Sequence, residues 1–192
     1  MHDDGVGTEE SVEGAPPEGT HAPPLFRVRE CDLVRIATGV RAMNLRELRD
    51  GIARVHRGSI YHHFWGRLLE PTFDEPEYSN DFASWASRAL NEKAIAEQLA
   101  MINPADYEDL EEMRQDLLDT IEATLDDERY VAWSRADQQF HFCRSQLIVV
   151  DAGRSVGTPE ELGRILPTFS EQSVFYHFID ARRRTDNGWD DF

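Results

Sequence analysis

Ser59 and His63 stand four residues apart, and Ser173 and His177 repeat that spacing 114 residues later. On a helix, positions i and i+4 share an edge, so each hydroxyl would lie beside its imidazole. Arg67 continues the first edge at i+8, where the second copy has Ala181. If the two copies face each other, His63 and His177 could ligate one transition metal, with Asp81 as a supporting carboxylate. The same edges could instead hold a small ligand or a protein partner. The candidate contacts are then Ser59, His63, Arg67, Ser173, His177 and Arg182, the last opening the triplet Arg182-Arg183-Arg184. That triplet comes after the His177 helix, where cations suit the helix dipole and could meet a phosphate or an acidic partner. A Ser/His/Asp triad gains no support, because an i, i+4 pair on one helix does not aim the hydroxyl for attack. The G-x-S-x-G elbow is also missing from the sequence. A structural reading competes with all of these: Ser59 and Ser173 sit where helices begin and would serve as N-caps. His62 aligns with Tyr176 and reads as exposed.

The segments that must position these residues are themselves repeated. Phe26–Phe64 aligns on Phe140–Phe178 without a gap, matching Phe26 with Phe140, Leu33 with Leu147, Gly39 with Gly153 and Leu48 with Leu162. Such a match implies two copies of one supersecondary unit about a pseudo-two-fold axis. Each copy opens extended: Phe140 and Phe142 alternate with His141 and Cys143, and Leu147–Val150 runs apolar. Gly39 and Gly153 mark turns. Helix starts come next at Asn44-Leu45-Arg46-Glu47 and Thr158-Pro159-Glu160-Glu161, both capping boxes. Leu45, Leu48, Ile52 and Val55 form one apolar stripe, and Leu162, Ile165, Leu166 and Phe169 form its counterpart. The Ser59 helix presents Ile60, Tyr61, Phe64 and Leu68 on one face. Asn80 or Asp81 caps a helix carrying Phe82 and Trp85, whereas the second copy offers only Asp190-Asp191-Phe192 before the sequence stops. Between the copies, helices are predicted over Asn91–Ile102 and Tyr107–Leu125, the latter with Leu110, Met113, Leu117 and Ile121 inward and acids outward.

Composition narrows the function classes. The net charge is −17, of which six negative charges lie in residues 1–24 and the rest are spread over the remainder. Nucleic acid and anionic membranes would be repelled. Residues 1–24 carry acids, Gly and Pro with almost no large apolar side chain and read as a disordered tail. They lack the basic and apolar regions of a signal peptide. No apolar run approaches the ~20 residues of a membrane span. The chain reads as soluble and cytoplasmic. Lys93 is its single lysine, a bias that both a salt-rich cytoplasm and a GC-rich genome produce. Cys31 and Cys143 read as reduced and structural.

The motifs Ala37-Thr38-Gly39, Asn44-Leu-Arg-Glu-Leu, Ser59-Ile-Tyr-His-His, Asn80-Asp-Phe and Ser173-Val-Phe-Tyr-His together resemble a prokaryotic domain-of-unknown-function family. That family has duplicated Ser-Ile-Tyr-x-His and Asn-Asp-Phe motifs. The resemblance covers nearly everything after the tail and implies the architecture without an activity. The expected fold is α+β and mostly helical, with two ββαα repeats about a pseudo-two-fold. The expected organisation is a tail (1–24), repeat 1 (26–90), a helical insert (91–128), a linker (129–139) and a shortened repeat 2 (140–192), with 25–192 forming one domain. The expected function is a non-enzymatic binding or accessory module using the cleft between repeats, with a protein partner or small ligand and no required cofactor. The alternative is a metal-dependent enzyme with its histidine site at the repeat interface. Oligomeric state is left open.

Overall fold

A computed structural model describes residues 25–70, 77–127 and 134–181. The tail, Arg182 with its triplet, and Asp190-Asp191-Phe192 lie outside the described residues.

Two long extended segments organise the molecule. β1 (Phe26–Ala42) and β2 (Phe140–Val156) form one antiparallel two-stranded ribbon. This corrects the ββ start expected of each copy: the turn glycines do not reverse the chain. Gly39 (φ 79°) and Gly153 (φ 68°) occupy the left-handed region that glycine tolerates and introduce register shifts inside continuous strands. The Thr38 hydroxyl donates to the Phe142 carbonyl at 2.7 Å, and the Asp151 carboxylate accepts from the Gly153 N–H at 2.7 Å. Both bonds fix the chain locally while pairing resumes beyond them. At the middle of the ribbon Leu33 lies opposite Leu147, the residue that the sequence correspondence equates with it.

A two-stranded ribbon is marginal alone and must be covered by other elements. One face carries Cys31, Leu33 and Leu147 against Tyr61, Phe175 and Tyr176. Val34, Ile148 and Val150 remain exposed.

After β1 comes α1 (Leu45–Arg54), started as expected by its box: Asn44 Oδ1 accepts from the Glu47 N–H, and the Glu47 carboxylate accepts from the Met43 N–H, each at 2.8 Å. Leu45, Leu48 and Ile52 are fully buried. α2 (Arg57–Trp65) follows at once, then α3 (Asp81–Arg88), capped by Asn80, and α4 (Lys93–Ala100). α2 ends at Trp65, so Leu68 does not extend its apolar face and is exposed. α5 (Leu110–Leu125) starts at the cap Asp109 and buries Met113, Leu117 and Ile121. These pack with Ile52, Phe82, Phe140 and Phe142 in the main core. α5 also inserts a buried arginine. Arg114 donates to the carbonyls of Ile52 and Val55, at the C-terminal end of α1, and pairs with Glu111 at 2.7 Å. Carbonyls that a helix end leaves without partners are thereby satisfied by a cation.

After β2, α6 (Pro159–Ile165) is capped by Thr158 as expected, yet none of its residues is buried. α7 (Glu171–Val174) continues as a π-helical turn over Phe175–Asp180. No helix among the described residues is long and apolar enough to cross a membrane.

Two glycines give opposite tests of this packing. A Cβ on Gly51 would overlap the ring of Phe142, itself wedged against Phe140 and Phe82. Gly51→Ala is expected to cost about 1–3 kcal/mol. Gly163, in α6, has nothing within 4 Å of its would-be Cβ, so Gly163→Ala should gain up to about 1 kcal/mol. Paired denaturant titrations read both signs.

Candidate functional site

α2 begins with a histidine cap: His56 Nδ1 accepts from the Gly58 N–H at 3.0 Å. Ser59 is therefore not the cap that its position suggests. It sits inside the first turn, completely buried, and its hydroxyl donates to the Cys143 carbonyl at 2.6 Å. One turn later, the Cys143 N–H donates to His63 Nε2 at 3.2 Å. A backbone N–H can only donate, so the geometry puts the His63 proton on Nδ1. That nitrogen lies 2.9 Å from the Asp81 carboxylate, the group to which it donates. The i, i+4 pair thus grips both polar groups of one residue on β2. The chemical reason is general: backbone N–H and C=O groups buried under a helix must find partners.

The second motif has part of this arrangement. His177 Nε2 accepts from the N–H of Arg29 at 2.9 Å, and Arg29 is the position 114 residues before Cys143. The cap is Ser170, whose hydroxyl accepts from the Ser173 N–H at 3.1 Å, so Ser173 is buried behind the cap. His63 meets Phe140 at 4.7 Å between ring centroids, and His177 meets Phe26 at 4.8 Å.

The structure does not bring His63 and His177 together. Their strand partners are Cys143, opposite Ala37, and Arg29, eight residues from Ala37 along β1. At about 3.3 Å per residue the two sites are roughly 26 Å apart, so one metal cannot join them. His63 and Asp81 do meet, and His62 joins them: one ligand atom from each lies within 4.8 Å of the others. His62 is 5 % exposed, contrary to its expected exposure. The alignment with Tyr176 conceals this, although both residues are buried. Its Nδ1 lies 2.8 Å from the Ser145 hydroxyl. The other Asp81 oxygen accepts from Arg67 at 3.4 Å, so Arg67 belongs to this cluster and sets a positive charge beside it. A metal here would have to displace the Nδ1 proton of His63 and tolerate the guanidinium.

Asp81, His63 and Cys143 stand in the order of a nucleophilic triad, but the atom at His63 Nε2 is the Cys143 amide. Burial pushes the Cys143 thiol up, away from the thiolate that nucleophilic attack needs. Neither Cys31 nor Cys143 forms a disulfide.

Beside the clamp, α2 opens onto a cleft of about 310 Å³. Tyr61 and Trp65 line it from α2, Ser145 and Leu147 from β2, and Asp180 from the end of the π-helical turn. The insert closes another side with Tyr107, Glu108, Asp109 and Met113. Tyr61 donates to Asp180 at 3.3 Å across the two halves. Tyr107 donates to Asp116 at 2.7 Å; burial and that bond raise its phenol to about 12, so it stays neutral.

A ribbon flanked by helices, with His63 and His177 each accepting from a strand amide, defines the structural class. Within it, the chain belongs to the family of unknown function DUF5752, whose model matches residues 23–192. The chain is also similar to a solved structure, that of OrfY from Thermoproteus tenax. The two share 32% identity at a TM-score of 0.77, over 89% of this chain and 77% of that one. No curated protein matches the chain.

Two outcomes are expected of the clamp. Ser59→Ala removes the donor to the buried Cys143 carbonyl and should cost about 1–2 kcal/mol, and His63→Ala, which also opens a cavity, about 3 kcal/mol or more. Chemical denaturation measures both. The second outcome concerns pH. Burial, then His63 and Arg35, lower His62 from 6.5 to about 4, with Asp81 opposing. Between those values the unfolded chain binds a proton that the folded chain refuses. This contribution is therefore complete above pH 6.5 and is lost as pH falls toward 4. His62→Gln should flatten that part of the stability profile, measured by denaturant titration across the window.

Proposed function

We propose that the chain is one unit duplicated about a pseudo-two-fold axis through the Leu33–Leu147 pair, and that it acts as a non-enzymatic binding or accessory module. The ligand site is the cleft between the halves, open to a small ligand or to a side chain of a protein partner. The register supports the duplication, since equated residues lie opposite each other at the ribbon centre. So does the matched pair of ring contacts, Phe140 with His63 and Phe26 with His177. The observation that carries the binding role is the composition of the cleft: Tyr61 comes from one half, Asp180 from the other and Tyr107 from the insert. Its volume suits a small-molecule site, and ligands settle preferentially where structural units meet. The Ser59 hydroxyl and the His63 imidazole, the groups closest to a catalytic set, are engaged with the Cys143 backbone and with Asp81. Two cysteines outside any disulfide suit a reducing cytoplasm.

A second reading, a transition metal at His62, His63 and Asp81, rests on their proximity. Arg67 beside Asp81 works against it. Elemental analysis of untagged protein separates the two: one equivalent of metal, lost in Asp81→Asn, supports the metal reading.

For the cleft, a fragment screen by two-dimensional NMR is the direct test. Binders are expected to shift the Trp65 indole and the amides of Tyr61, Tyr107 and Asp180 together. Binders that shift only residues outside the cleft contradict the proposal.

A further inference from the structure

Successive residues of a strand face opposite sides of a ribbon, and directly paired residues share a side. Cys31, Leu33 and Leu147 lie against Tyr61, Phe175 and Tyr176, so the intervening positions form the opposite face. Along that face Glu30 pairs with Val150, Asp32 with Ile148, Val34 with Gln146 and Ile36 with Arg144. The wet face of an antiparallel pair ordinarily carries polar side chains. Here half of the positions are aliphatic, and Val34 (42 %), Ile148 (47 %) and Val150 (53 %) are open to solvent. Ile36 is half-buried. Val150 and Ile148 are neighbours on β2, Val34 and Ile36 on β1, so together they cross the ribbon as one diagonal stripe. The sequence correspondence equates Val34 with Ile148 and Ile36 with Val150, so the stripe is apolar in both repeats.

The stripe separates two polar corners of opposite sign. Glu30 and Asp32 hold one, and Arg144 with Gln146 holds the other. Asp32 and Arg144 are exposed, and neither forms an ion pair among the described residues. Glu30 accepts from the Ser170 hydroxyl, which leaves its charge in place. Within one molecule Asp32 and Arg144 are four residues out of register, roughly 13 Å along the ribbon, too far to pair with each other. A face of this pattern is complementary to itself. A second molecule, turned over about an axis that crosses the strands, lays its stripe across the first and brings its Arg144 to Asp32. The two-fold makes the same contact twice. An unrelated partner would need the same corners with their signs reversed, which a second copy of this chain supplies by its own sequence.

We infer that the outward face of the ribbon, with Val34, Ile36, Ile148 and Val150 between Asp32 and Arg144, binds the same face of a second copy of this chain. The surface lies across the ribbon from the cleft and does not depend on that reading. The association is weak. The eight paired residues span only about 20 Å by 10 Å, well below the ~800 Å² per partner of a stable complex. Each molecule also carries a net charge of −17, a repulsion that salt screens. A Kd on the order of 100 μM in ~0.5 M salt fits these terms.

Sedimentation equilibrium of the full chain in ~0.5 M salt, followed up to about 1 mM protein, tests the inference. A reversible monomer–dimer equilibrium is expected. Ile148 is exposed, so Ile148→Asp should fold normally, as circular dichroism would report, and should weaken the dimer at least about tenfold. Asp32→Arg reduces the net negative charge, yet it should weaken the dimer about fivefold by setting like charges together; Arg144→Asp should do the same. The double variant Asp32→Arg/Arg144→Asp should return to within about twofold of the parent, because the reversed charges pair again. A chain that stays monomeric at the highest concentration overturns the inference. So does a dimer that Ile148→Asp leaves intact, or a double variant that recovers nothing lost in the single ones.

Discussion

A two-stranded ribbon has no interior strand. Each strand pairs on one side only, and along its other side the free N–H and C=O groups need water or another partner. Once a helix is laid against that edge to bury apolar side chains, water is excluded and the helix itself must supply the hydrogen bonds. α2 meets this constraint with Ser59 and His63, which take the carbonyl and the amide of Cys143. The π-helical turn that continues α7 meets it with His177 on the amide of Arg29. The gripped residue is cysteine in one place and arginine in the other, so its side chain is not what the motif recognises.

The rest of the molecule depends on how each clamp is held. Asp81 orients His63 from the first residue of α3, and Phe82, the next residue, packs against His63 and Phe140. Through that contact the clamp reaches the main core, where α4 and α5 complete the cover. The second half has no such cover among the described residues, and α6 stays on the surface with no buried residue. The insert that packs on the first half also closes the cleft beside α2, so support and cleft share one cause.

Much of the architecture is legible in the sequence because it rests on local rules. The boxes at Asn44 and Thr158, the apolar stripe of α5 and the glycines at 39 and 153 are short-range signals, and each marks a real feature. Context decides the rest. Gly39 and Gly153 look like reversals in sequence, but a left-handed residue within a paired strand makes a bulge when both flanks stay in register. Ser59 looks like a cap because capping and edge-gripping serines share one sequence pattern; His56 takes the cap instead. His63 and His177 look like facing partners because the repeat equates them. On this ribbon the equated pair that meets is Leu33 and Leu147, and the strand positions gripped by the two histidines lie far apart along it. Asp81 stands out for its chemistry and does meet His63, though as a hydrogen-bond acceptor. Nothing local reveals the cleft, since Tyr61, Tyr107 and Asp180 are drawn together only by the ribbon and the insert.

The clamp has a direct spectroscopic signature. An N–H···N hydrogen bond transmits a scalar coupling between the two nitrogens, and long-range proton–nitrogen correlation reports which imidazole nitrogen carries the proton. Uniformly labelled protein should show couplings from the Cys143 amide to His63 Nε2 and from the Arg29 amide to His177 Nε2, with Nε2 unprotonated in both rings. Protonated Nε2 nitrogens with no coupling to either strand amide would contradict the clamp and return both histidines to the search for a ligand.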